Sequence, residues 1–219
     1  MMRNSNILKI TFSLICIFML GACMNTNNKD DHTEQTSSID KNITKVNENS
    51  KTLVVYFSQT GTTERIAVHI ADTLDADIFE ILPKIPYTSE DINYNNPSSR
   101  TTKEQNDSSM RPEILNVIEN LDDYDSIILG YPIWHGQAPK IIYTFLETYD
   151  FSDKAIIPFC TSHSSGVGSS VSNLKSVVSS SAKWVEAKRF GQDTSNLSIE
   201  KWIESVSYTH LRAHETTLH

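Results

Sequence analysis

The chain has 219 residues, 38% of them hydrophobic, with 19 basic against 27 acidic residues and a formal charge of −8. That length suits one well-buried domain with appendages, and the acidic balance excludes binding that rests on neutralising nucleic-acid phosphates or an anionic membrane surface. The three cysteines offer no internal disulfide framework, and no Cys/His cluster has metal-ligand spacing.

At the N-terminus, Arg3 and Lys9 precede the apolar run Ile10 to Leu20, and Leu20-Gly21-Ala22-Cys23 follows. A basic start, a short apolar segment and small residues at the break describe a secretory signal over residues 1–22, too short to span a membrane. Leu-Gly-Ala-Cys resembles the bacterial lipobox, which implies export, acylation of Cys23 and a lipid anchor in the cell membrane. Removing the signal takes away two basic residues and no acidic one, leaving a charge of −10. Residues 23–50 are rich in Asn, Asp, Lys, Thr and Ser and almost empty of large apolar groups, so they read as a disordered tether. A coil of this length reaches on the order of 30 Å. The triplet Asn42-Ile43-Thr44 belongs to that tether.

Leu53 to Phe57 is apolar or aromatic throughout and reads as a strand buried on both faces. Ser58-Gln59-Thr60-Gly61-Thr62-Thr63 follows, and then Ile66, Ala67, Ile70, Ala71 and Leu74 recur at helical spacing. A polar loop that ends at a helix N-terminus meets unpaired N–H groups and a partial positive charge, an arrangement that attracts phosphate. Ser58, Thr60, Thr62 and Thr63 add hydroxyl donors, and Gly61 lets the backbone curl closely around an anion. The loop lacks the lysine of a triphosphate loop and the three glycines of the dinucleotide fingerprint, which leaves a terminal monophosphate. His69 lies on the outer face of this helix.

A second strand, Asp77 to Leu82, carries charges that suit an outer place in the sheet. A polar stretch follows with a short helix over Ser98 to Asn106, entered at Asn95-Asn96-Pro97. Ile114, Leu115, Val117, Ile118 and Leu121 form an apolar-periodic segment, helical or irregular. The third strand, Tyr124 to Gly130, opens into Tyr131-Pro132-Ile133-Trp134-His135-Gly136, and a helix begins after Pro139. Ala155 to Cys160 is the fourth strand and leads into Thr161-Ser162-His163-Ser-Ser-Gly166-Val-Gly168. A helix through Val171 to Val178, a fifth strand from Trp184 to Phe190 and a helix from Ser198 to Val206, capped by Ser198, complete the domain.

Strands alternating with helices predict an α/β fold with helices on both faces of a parallel sheet. Five strands fit the doubly wound order 2-1-3-4-5, in which the three special loops share the carboxyl edge. Over Lys51 to Val206 the chain resembles the flavodoxin family. The first loop matches the pattern [Ser/Thr]-x-Thr-Gly-x-Thr, and Gly130 to Trp134 and Thr161 to Gly166 are similar to the second and third flavin loops of a branch with exported, lipid-anchored members. The resemblance implies an FMN cofactor: the first loop grips its phosphate, and the other two contact the isoalloxazine. Trp134, then Tyr131, is the expected stacking partner, with a core-anchor role for Trp134 as the alternative; Pro132 and Gly136 shape the loop. His135 and His163 can protonate or hydrogen-bond a flavin, or simply face solvent. Cys160 reads as a small buried hydrophobe.

The third loop has no tyrosine to cover the outer flavin face, which leaves room for a nicotinamide or a quinone. Three functions follow as expectations: an FMN oxidoreductase passing electrons from a reduced donor such as NAD(P)H to a quinone or other acceptor; a tethered electron carrier docking on redox proteins through its acidic surface; and a flavin-free interaction module. Ser207 to His219 breaks with the preceding pattern and resembles translated adaptor read-through outside the domain. Its His210 and His214, spaced i, i+4, are not assigned a metal.

Overall fold

The computed structural model describes residues 51–215, with side chains described as far as Ser207. The signal segment, Cys23, the tether and the side chains of His210 and His214 lie outside the described residues. In chain order the elements are β1 (Thr52–Tyr56), α1 (Thr62–Leu74), β2 (Asp77–Glu80), α2 (Arg100–Asn106), a 3-10 turn (Leu121–Asp123), β3 (Ser126–Pro132), α3 (Lys140–Thr148), β4 (Ala155–Thr161), α4 (Ser170–Lys175), β5 (Lys183–Trp184), β6 (Lys188–Phe190) and α5 (Asn196–Glu215). Every strand pairing is parallel. The order β2-β1-β3-β4-β5 is the doubly wound one expected, with β6 also on β4.

Two apolar layers hold the sheet. Leu53, Val55, Ile127 and Leu129 face α3 through Ile141, Ile142, Phe145 and Leu146. The alternate residues Val54, Ile128 and Ile157 face α1 and α5 through Ile66, Ile70, Ile199, Trp202 and Ile203. Burial of both strand faces explains the uninterrupted apolar runs in β1, β3 and β4.

The fifth strand expected over 184–190 is two short ones. Ala155 and Ile156 pair with Lys183 and Trp184, while Phe159 pairs with Lys188. Three steps along β4 therefore match four along its neighbour, a one-residue bulge. Pro158 supplies the cause. The carbonyl of Ile156 accepts from Val185 N–H and Ser162 N–H donates to Phe190, so alternate residues of this segment turn toward the fifth-strand side. Pro158 shares that parity and has no proton to give.

Two helices also differ in their boundaries. The helix α4 stops at Lys175 instead of reaching Val178. The final helix begins at Asn196, with Ser195 Oγ accepting from Ser198 N–H, so Ser195 does the capping expected of Ser198; it runs on to Glu215, past Val206. Of the two readings open for the periodic segment at 114–118, helical or irregular, the structure has the irregular one. Its Asn116 amide donates to Glu80 C=O and accepts from Leu82 N–H, which covers the free edge of β2. Among the described residues no helix is long and apolar enough to cross a membrane.

Candidate functional site

The loops after β1, β3 and β4 leave the same edge of the sheet, because all three strands run parallel and pair in register from Thr52–Ser126–Ala155 upward. Side chains then tie the loops together. Thr63 and Thr161, both buried, share a hydrogen bond of 2.7 Å between the first and third. Gln137 Nε2 donates to Ser169 Oγ at 2.8 Å, and Asn173 donates to Gln137 Oε1 at 2.8 Å, joining the second to the third. The β2–β3 excursion braces the rim: Gln59 Nε2 donates to Tyr87 C=O at 2.8 Å and Tyr94 Oη to Ile133 C=O at 3.3 Å.

In the first loop Gly61 takes the N-cap of α1 at φ 82°, left-handed, and offers that helix no side-chain cap. Thr60 stands exposed, while Ser58, Gln59, Gly61 and Thr62 are half-buried. Ser58 Oγ is buried and has no hydrogen-bond partner. An orphaned buried hydroxyl beside an uncapped helix start is a donor arrangement awaiting an acceptor, which suits a phosphate group. Thr63 is the exception among the expected donors, since its hydroxyl is engaged with Thr161.

The second loop is a two-residue hairpin. Trp134 and Gln137 exchange both backbone bonds, at 2.9 and 3.0 Å, around His135 (φ 48°) and Gly136 (φ 76°). Both rings expected to stack, Trp134 and then Tyr131, are buried here, and a core-anchor place was the stated alternative for Trp134. Tyr131 is wholly buried and bonds Ser170 at 3.2 Å; Ser170 Oγ gives its own proton to Val167 C=O, so the phenol donates. Trp134, 6% exposed, sits edge-on to Phe57 and Tyr87, with ring centres 5.4 and 5.1 Å away. Both rings are core groups. Ile133 is buried and Pro132 half-buried, whereas His135 and Gly136 are exposed. The exposed ring here is Tyr94, 56% accessible and 4.8 Å from the His135 ring. Desolvation holds the His135 pKa below the ordinary histidine value.

Arg189 organises the third loop by donating to Ser162 Oγ, Ser162 C=O and His163 C=O at 3.1, 3.1 and 2.8 Å. Ser162 in turn donates to Ser165 C=O. Thr161 is buried, and His163 and Gly166 are exposed. Cys160 is fully buried, and burial pushes its thiol up to about 12, which keeps it protonated and inert. Among the described residues no three His, Cys, Asp or Glu side chains gather as a metal centre requires.

Sequence reasoning missed Tyr87, Tyr94, Gln137 and Arg189. Tyr87 and Tyr94 lie in a polar excursion without periodicity, and Arg189 sat inside an expected strand; none carries a motif.

Comparison with known proteins supplies the family. A family model described as Flavodoxin matches residues 51–206. Two crystal structures of proteins classed as flavoproteins are similar over nearly their whole length. One, from Bacteroides eggerthii, is 40% identical with TM-score 0.67 and covers 73% of this chain and 99% of its own. The other, from Bacteroides uniformis, is 36% identical with TM-score 0.66 and covers 72% and 99%. A Lactobacillus acidophilus flavoprotein in complex with FMN shares the fold at 23% identity and TM-score 0.52, over 64% of this chain and 93% of its own. No curated protein matches. With its parallel five-position sheet, three knitted loops at one edge and a family match across the whole domain, the chain belongs to the flavodoxin family.

Proposed function

We propose that this chain binds FMN at the three loops and transfers electrons, taking them from a reduced donor such as NAD(P)H and delivering them to a quinone or other acceptor at a membrane surface. The observation that carries the reading is the first loop: an uncapped α1 entrance beside the buried, unpartnered Ser58 hydroxyl. Ser58, Thr60, Thr62 and the first-turn N–H groups hold the phosphate. The second and third loops hold the ring through backbone groups, with Tyr94 and His135 at the rim.

Bound FMN supplies reversible acceptance of one or two electrons. The residues do the rest. Arg189 fixes the third loop's carbonyls, Gln137 sets its distance from the second, and the exposed stretch His163 to Gly166 leaves the rim open to a flat reactant. His135 and His163 are the groups positioned to exchange a proton at that rim.

A lipid anchor on Cys23 and the polar tether keep the domain near the membrane. The acidic balance favours a second reading, a carrier that docks on a membrane redox protein and has no substrate of its own. Anaerobic mixing separates them. Bleaching of the FMN-loaded protein by NADPH and reoxidation by a quinone are expected; bleaching only by a membrane fraction, in a salt-sensitive manner, would assign the carrier role. A preparation that takes up no FMN would overturn both.

A further inference from the structure

The phosphate loop is faced by negative charge. Glu64 lies in the first turn of α1, exposed, with Oε2 4.0 Å from where a Cβ on Gly61 would stand. Behind it, Tyr56 and Glu80 are paired in register at the ends of β1 and β2. Tyr56 is 6% exposed and Glu80 half-buried. These three, from α1, β1 and β2, are the titratable groups that face one another here. Burial first, and then the Glu64 charge, raises the Glu80 carboxyl above its ordinary value. Burial and the two carboxylates push the Tyr56 phenol up to about 12.

A carboxylate three residues past the N-cap satisfies the positive end of a helix that has no side-chain cap. Once a dianion arrives at that same end, the carboxylate becomes a like charge at close range.

We propose that Glu64, reinforced by Glu80, is a stand-in anion at the entrance of α1 and therefore weakens the grip of this site on phosphorylated flavin relative to its neutral counterpart. The pair sets the charge selectivity of the site, a role that rests on the FMN reading above. Without ligand, Glu64 steadies the α1 entrance; with ligand, it opposes the phosphate.

The test uses the full chain carrying Glu64→Gln, with Asp122→Asn as a control at the opposite end of the sheet, titrated with FMN and with riboflavin. Glu64→Gln is expected to tighten FMN by on the order of three- to tenfold, the size of one like-charge interaction near a surface. Riboflavin affinity and the Asp122→Asn control stay unchanged. The unliganded Glu64→Gln protein should melt below wild type while its FMN-saturated form melts at or above it. Equal FMN affinity in wild type and Glu64→Gln overturns the inference and leaves the FMN reading intact. Tightening of riboflavin to the same degree also overturns it, because the effect would then not be one of charge. No flavin uptake by wild type would end both.

Discussion

Thr63 Oγ1 and Thr161 Oγ1 lie 2.7 Å apart in the buried base of the site, joining positions 98 apart in the chain. One hydroxyl opens α1 and the other closes β4, so the bond sets the spacing between the phosphate loop and the third loop. Removing one partner strands the other, at a cost of about 1–3 kcal/mol. Thr63→Val and Thr161→Val should each destabilise the domain by that order and weaken FMN binding. The double variant should recover much of the stability but not the affinity, measured by denaturant unfolding and FMN titration in one double-mutant cycle.

Ser58→Ala should behave in the opposite way. Its hydroxyl is buried without a partner, so the unliganded protein loses nothing and is expected to be as stable as wild type or slightly more so. The FMN complex loses one charge-assisted donor, worth about tenfold in affinity. Thermal melts with and without FMN separate the two effects.

Gly130 has no room for a side chain. A Cβ there would stand 2.2 Å from Phe159 Cζ, because the Phe159 ring lies across the glycine from the paired position on β4. Gly130→Ala is expected to cost about 3 kcal/mol or more by overpacking. Adding Phe159→Leu should restore part of the loss, and equal unfolding midpoints for wild type and Gly130→Ala would contradict the packing described.

Trp134 gives a direct check on the second loop. As a member of the Phe57–Tyr87–Trp134 cluster, its truncation to Ala should cost about 3–5 kcal/mol of stability. Trp134→Phe keeps an aromatic core group and should leave FMN affinity within about twofold. A loss of ten times or more without loss of stability would return the stacking role to this residue.

Acid sensitivity has a contributor away from the site that joins two elements by an ion pair. Arg111 donates to both Glu147 oxygens, at 2.6 and 2.8 Å, and that pairing holds the Glu147 carboxyl below its ordinary value. A depressed carboxyl contributes stability that is present above the unfolded value of about 4.3 and lost as pH falls through the folded one. The pair is partly exposed, so the contribution is small. Glu147→Gln should flatten this part of the fall in unfolding midpoint between about pH 5 and pH 3.

The fold was legible in the sequence because β1, β3 and β4 are buried on both faces and each ends abruptly in a polar or glycine-bearing loop. Three such endings on parallel strands converge on one edge. The fifth strand misled because a proline in its neighbour interrupts the pairing, a constraint that lies in a different segment from the strand it breaks. The segment at 114–118, readable as helical or irregular, is irregular, with Leu115 and Val117 exposed. At the site, the polar loop ending at an uncapped entrance to α1 was readable from local chemistry alone. The burial of Trp134 and Tyr131 was not, since it depends on Phe57, Tyr87 and Ser170 arriving from elsewhere. Tyr94 and Arg189 became visible only when the chain was folded, for the same reason.

FMN titration of Thr60→Val/Thr62→Val beside wild type, with circular dichroism to follow the fold, decides whether uncharged donors at the entrance of α1 hold the cofactor's phosphate. One FMN per wild-type chain is expected, and for the double variant a loss of affinity on the order of a hundredfold with the sheet intact. Unchanged FMN affinity in a folded double variant would contradict that role of the donors.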